Sequence, residues 1–228
     1  MELSYWKSKW QKGKIGFHME DGYPGLEKYW DSIPLGNNPN TFVPLCGKSK
    51  DLLWLTEHCK KVVGVEISDL AVEQFLIENS LDAEISTFAD FKIYRIQNIE
   101  IWNGDFFKLP KHKLPPLDLV FDRAALVALP AKMRTLYAEK ILELTSDKTI
   151  ILQHMYHYRQ EEMNGPPFSV STEELEELYG KEFQLQILEK NELNVDFYKK
   201  FKNRGLHSYF IEILSLLLPV EELQTKWL

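Results

Sequence analysis

Two cysteines, Cys46 and Cys59, are all that this 228-residue chain contains, so no disulfide framework can staple it. Cys59 follows a helical pattern and reads as a small buried hydrophobe. Long apolar runs are also missing. The longest, "YFIEILSLLLPV", is broken by Glu212 and falls short of a bilayer span. The opening "MELSYWKSKWQKGK" lacks the charged-then-apolar layout of a secretory signal, and the expected location is the cytoplasm. Basic charge is in deficit. With 27 Lys and Arg against 34 Asp and Glu, the net charge is −7, which argues against nucleic-acid and membrane partners. Repeats, low-complexity tracts and Gly/Ser linkers are absent too. The expectation is one domain over 1–228, with a helical lid over 1–35 and a core over 41–218.

What is present is an ordinary globular balance, 44% hydrophobic and 27% charged, together with 13% aromatic residues that include six Trp. Such rings can line a pocket as well as a core. Trp6 and Trp10 lie one turn apart on the helical pattern "SYWKSKWQK". After the loop "LGNNPN", apolar runs and amphipathic segments alternate. Strands are expected over 41–45, 61–67, 100–102, 117–121, 149–155, 184–188 and 208–214. Helical patterns fall over 49–58, 69–79, 131–144 and "STEELEELYG", with Ser68 or Asp69 and Ser171 or Thr172 as N-caps. "FADFKIYRIQNIEIWNG" alternates across Gln97 and Asn98, which predicts a hairpin before the third strand. The last two strands are joined by a polar, basic stretch, which suits an antiparallel pair. The layout is α/β: a Rossmann-like, mostly parallel seven-stranded sheet with an antiparallel strand near its end.

Glycine is scarce at the one turn that matters. "TFVPLCGKSKD" ends an apolar run in a single Gly47. A Walker A loop needs an earlier glycine, and Phe42 occupies that position. A dinucleotide fingerprint needs two more glycines to admit a pyrophosphate. A cofactor without phosphate, such as S-adenosyl-L-methionine, needs neither. Nineteen positions after Gly47, "VVGVEIS" places Glu66 at the end of the second strand, where a carboxylate can accept both ribose hydroxyls. A surface glutamate in a strand-to-helix loop is the bland alternative.

"FVPLCGKS", "VVGVEIS", "FDRAALVAL" and "GPPFSV", in this order behind "WKSKWQKGKIGFH", make the chain similar to the thiopurine S-methyltransferase family, in its bacterial type, from about Trp6 to Leu214. The resemblance implies a class I methyltransferase of the cytosol that takes its methyl group from S-adenosyl-L-methionine. It implies as acceptors a small-molecule thiol or thiopurine, with selenium and tellurium species for bacterial members, and a monomeric state. Trp10, Leu45, Glu66 and Arg123 match its cofactor-binding positions. Trp6 is a weaker cofactor candidate that can equally brace its helix. Asp105 in "NGDFF" matches the acid often found near the adenine, though a loop cap explains it equally well. Phe17 falls at the family's substrate pocket, and Pro166, Pro167 and Phe168 in "GPPF" form an apolar wall.

Other residues carry weaker readings. His18 reads as a hydrogen-bonded loop histidine more than a proton acceptor, and Asp122 as a loop-ordering acid. Lys200, Lys202 and Arg204 are candidates to face the acceptor, with a solvated face as the default. Cys46 has no basic partner fixed by a motif, and no metal site is expected, since His154 and His157 should point to opposite faces of a strand. The expected reaction is in-line methyl transfer to an aromatic or heterocyclic sulfur. The alternatives are another small acceptor (halide, thiocyanate, amine or oxygen) and a non-catalytic nucleotide-binding module.

Overall fold

Burial on both faces explains why the early strands read as unbroken apolar runs. The computed structural model describes residues 3–194 and 199–220. It contains two compact units, Met1–Phe121 and Asp122–Leu228, and each is described by itself.

The first unit begins with α1 (Leu3–Gln11) and α2 (Pro24–Tyr29), the latter started by a proline at its first position. Then follow β1 (Asn40–Val43), α3 (Asp51–Thr56), β2 (Lys61–Glu66), α4 (Asp69–Glu78), β3 (Glu84–Phe88), β4 (Phe91–Ile96), β5 (Ile99–Asn103) and β6 (Leu119–Asp122). The spatial order is β3-β4-β5-β2-β1-β6. β5, β2, β1 and β6 run parallel, whereas β3 and β4 are antiparallel to their neighbours. Phe42, Val62, Val63, Val65, Ile101 and Trp102 fill the sheet's interior, and Leu52, Leu55 and Phe75 cover it from α3 and α4. Ser68 caps α4, its hydroxyl accepting from the Ala71 amide.

The second unit holds α5 (Ala131–Leu144), β7 (Ile150–Tyr158), α6 (Thr172–Tyr179), β8 (Phe183–Leu193), α7 (Lys199–Lys202) and β9 (Phe210–Pro219). β9 lies between β7 and β8 and is antiparallel to both, as expected for the chain's end. A bulge between Ile187 and Glu189 breaks the β8 ladder. Ser171 caps α6, and Glu173 and Glu174 follow in its first turn, where the helix dipole favours acids.

All seven expected strands are present, with boundaries moved by a few residues. The hairpin across Gln97 and Asn98 is β4–β5, with Gln97 at φ 52°. Nine strands are found among the described residues: those seven, the hairpin's β4, and β3, which is an addition. It is an edge strand whose residues are mostly exposed, which removes the apolar signal that marks the others. Of the expected helices, 131–144 is reproduced without change, while the 49–58 pattern shortens to α3.

Candidate functional site

In the first unit, four parallel strands end on one side, and the turns that follow them converge there. After β1 the chain leaves the strand at Val43, two residues earlier than expected. Leu45 is therefore in the turn itself, in the left-handed region at φ 47°, and Gly47 follows at φ 55°. The Cys46 amide donates to the Val65 carbonyl at 3.0 Å, fastening the turn to β2.

Glu66 closes β2 and organises this turn. It is buried, at 5% exposure. One carboxylate oxygen accepts from the Gly47 amide at 2.9 Å and the other from the Ser68 amide at 2.7 Å. Burial raises its pKa to about 7, against the pull of the Ser68, Gly47 and Ile67 amides. Each oxygen has a second lone pair, so the group retains capacity to accept two hydroxyls. A vicinal diol fits that capacity. The Glu66 carbonyl is itself held by the Asn103 side-chain amide and the Gly104 amide, both at 2.9 Å. Sequence reading missed Asn103; its only signal is its place at the end of β5, next to the "GD" pair. Asp105 follows, and its carboxylate accepts from the Phe107 amide at 3.1 Å, which makes it a cap of the next turn.

The aromatic N-terminal segment rests on the same turn. Trp10 is 4% exposed, and a methyl group added to Gly47 would stand 3.1 Å from its indole. Phe17 makes edge contacts with both Trp6 and Trp10, with centroids 5.7 Å away in each case. Trp6 touches Tyr5 on its other side. His18 lies 3.8 Å from the exposed Glu20, an ion-pair geometry for the charged ring. Buried Asp51 ties this segment to α3: one carboxylate oxygen accepts from the Tyr23 amide at 2.7 Å and the other from the Ser49 hydroxyl at 2.7 Å. Gly22, at φ 80°, packs so closely on Asp51 that a Cβ would meet its carboxylate at 2.8 Å. Nothing in the sequence distinguished Asp51 from a helix-start acid.

Cys46 is buried, and desolvation followed by the Glu66 charge pushes its thiol well above the ordinary range. The thiolate required of a nucleophile is disfavoured there.

In the second unit, Asp122 orders the "FDRAAL" loop. It accepts from the Ala125 and Leu126 amides at 3.2 Å and from the Tyr137 hydroxyl at 2.6 Å. Burial raises its pKa to about 6, opposed by those donors and by Gln153. Arg123 follows directly. Lys200, on α7, is held below the ordinary lysine range by partial desolvation and then by the Arg123 and Arg204 charges. Those three cations therefore share one neighbourhood; Lys202 is an exposed residue of α7.

The "GPPF" loop has cis bonds before both Pro166 and Pro167. The Phe168 amide donates to the Val127 carbonyl at 2.7 Å, and the Tyr158 hydroxyl to the Pro167 carbonyl at 2.7 Å. Arg204 donates to the Pro166 carbonyl at 2.9 Å and also to the Asn164 carbonyl. Buried His154 bonds Glu212 at 2.7 Å, whereas His157 faces Tyr209 and Ser169, so the two rings diverge as the strand period requires. No group of three metal-ligating side chains occurs among the described residues, and no helix among them is long and apolar enough to cross a membrane.

Comparison with known proteins supplies the context for this geometry. The family model of thiopurine S-methyltransferase matches residues 1–216. A thiopurine S-methyltransferase of Nitrosospira multiformis is 40% identical over 206 residues, covering 90% of this chain and 93% of the relative. One from Teredinibacter turnerae is 42% identical over 190 residues, covering 83% and 88%. In fold, the chain is similar to the 1,6-didemethyltoxoflavin-N1-methyltransferase of Burkholderia thailandensis, solved with S-adenosylhomocysteine. That match has a TM-score of 0.61 and 11% identity, over 95% of this chain and 87% of the other.

Proposed function

This chain belongs to the thiopurine S-methyltransferase family, with the α/β fold of class I methyltransferases and S-adenosylmethionine as its methyl donor, and we propose that it methylates the sulfur of aromatic and heterocyclic thiols, thiopurines among them. Selenium and tellurium species are further acceptors of the same soft, polarizable kind. The observation that supports the donor half is the buried Glu66 carboxylate, fixed by the Gly47 and Ser68 amides with lone pairs left for a diol.

When bound, the donor supplies an electrophilic methyl group on a sulfonium, which an acceptor sulfur displaces in line. The protein's part is to hold and orient. Glu66 takes the ribose hydroxyls; Leu45 and Gly47 present their turn to the adenosyl group. Trp10 offers a π face to the cationic end, and Trp6 braces that ring through Phe17. Arg123 is assigned to the cofactor carboxylate, and Asp105 to the adenine edge with the oxygen that its cap leaves free. Phe17, Pro166, Pro167 and Phe168 are assigned to the acceptor, the prolines as a rigid apolar wall. An aromatic thiol is largely ionised near neutral pH, so no residue is assigned as a strong base. Good alignment alone is worth roughly 7–11 kcal/mol of barrier.

Calorimetry with S-adenosylmethionine, ATP and NAD tests the donor half; heat is expected with the first alone. Methyl transfer assayed with thiophenol, a thiopurine, a selenol and a halide then tests the acceptor. Transfer to halide without transfer to sulfur overturns the substrate assignment. Phe17→Ala separates the halves: losing one ring contact with an aromatic acceptor, worth roughly 0.5–1.5 kcal/mol, predicts an acceptor KM raised by about 2- to 10-fold, with a smaller change in donor Kd. The opposite pattern moves Phe17 to the donor side.

A further inference from the structure

We propose that Arg204 is a positioning residue for the acceptor site, a fork that locks the "NGPPF" loop into one shape and thereby favours flat aromatic thiols over small aliphatic ones. The inference rests on the assignment of Pro166, Pro167 and Phe168 to the acceptor.

The loop is held from one direction by its own strand. The Tyr158 hydroxyl bonds the Pro167 carbonyl, and the Gln160 amide bonds the Met163 carbonyl at 2.8 Å. Its other flank has no regular structure to pair with, and Pro166 and Pro167 carry no amide protons. The carbonyls of Asn164 and Pro166 stand two residues apart along the chain. One guanidinium reaches both, through Nη2 and Nη1 respectively. A planar fork can bridge two acceptors at a fixed spacing, which a lysine ammonium cannot reproduce.

The fork is itself anchored by a second set of contacts. Glu162, immediately before the loop, accepts from the His207 and Ser208 amides at 3.0 Å each through one carboxylate oxygen. Gly205, at φ 109°, passes so near the Glu162 carbonyl that a Cβ would come within 2.4 Å. Beneath them, Tyr158, Met163, Phe201, Leu206 and Phe210 form one apolar cluster. Residues 162–166 and 204–208 are thus clasped together, with Arg204 at the end nearest the prolines. Among the described residues, the hydrogen-bond acceptors of Arg204 are the two backbone carbonyls of that loop rather than carboxylates.

The test compares wild type, Arg204→Ala, Arg204→Lys and, as a control at an exposed residue of the preceding helix α7, Lys199→Ala. Thiophenol and 2-mercaptoethanol serve as acceptors, with donor Kd from calorimetry and loop protection from hydrogen exchange. Arg204→Ala is expected to raise the thiophenol KM and lower kcat/KM on the order of 10-fold, since misplacing a positioned group by about 1 Å can cost up to roughly 10²-fold. The 2-mercaptoethanol values and donor Kd should hold, and the amides of Phe168, Ser169 and Val170 should exchange faster. Arg204→Lys should recover only part of the loss. If Arg204→Ala lowers the melting temperature but leaves thiophenol kinetics or the ratio between the two thiols as in wild type, the residue is structural and the inference is overturned. If wild type methylates neither thiol, the acceptor assignment itself fails and takes this inference with it.

Discussion

Replacing Glu66 with alanine is expected to weaken S-adenosylmethionine binding by about 1–3 kcal/mol, because hydroxyls desolvated on binding lose their charged acceptor. The loss has two sources. The ribose loses its partners, and the Gly47 and Ser68 amides lose theirs, so the turn that carries Leu45 is released as well. Glu66→Gln keeps the shape but has one acceptor oxygen, so its amide group must face a backbone N–H that needs an acceptor. It too should bind poorly. The ionised form is the one that two hydroxyl donors favour. With a pKa near 7 in the free protein, affinity should rise as pH rises, by about tenfold between pH 6 and 8. Glu66→Gln should flatten that profile. An alanine variant with wild-type Kd in calorimetry would place the ribose elsewhere.

Asp122→Ala should be the most damaging single change to stability. The carboxylate is 1% exposed and serves three buried donors, the Ala125 and Leu126 amides and the Tyr137 hydroxyl. Each orphaned donor costs roughly 1–3 kcal/mol, so a total on the order of 3–5 kcal/mol is expected by denaturant unfolding. Asp122→Asn retains one acceptor oxygen and should lose less. The pH dependence follows from the direction of the shifts. Asp122 rises from 3.8 to about 6, and Glu66 from 4.5 to about 7. Between the ordinary and raised values the folded state holds more protons than the unfolded state. Both groups therefore lower stability as pH rises through about 4–7, and the melting temperature of the cofactor-free protein should fall over that range. Asp122→Asn should remove its share of the slope. A slope unchanged in that variant would show that Asp122 does not titrate in this window.

The strands that carry the turn at Leu45–Gly47 and Glu66 were legible because burial on both faces writes itself as Val, Ile and Phe in succession, as in "KVVGVE". Strand β3 was not, since an exposed edge imposes no such composition and "EISTF" alternates weakly. Glu66 was legible as an acid at a strand end, and the aromatic N-terminal segment as a pair of Trp one turn apart. Asn103 and Asp51 were not, and Arg204 was named only as one of three basic candidates to face the acceptor. Each acts by hydrogen bonds to backbone groups distant in sequence. A carbonyl is the same at every residue, so nothing at the far end of such a bond marks the pair. Leu45 shows the remaining gap, a candidate recognised by its neighbours but placed in the strand when its positive φ puts it in the turn.

One carboxylate, that of Asp51, joins the chain after the aromatic cover to the helix after the donor turn. Gly22 packs against that carboxylate so closely that a side chain there would displace it. With Phe17 proposed for the acceptor and Glu66 for the donor, a substitution that re-seats the aromatic segment to admit a new acceptor is expected to be transmitted through Asp51 to the start of α3, so that acceptor preference and grip on the donor are inherited together.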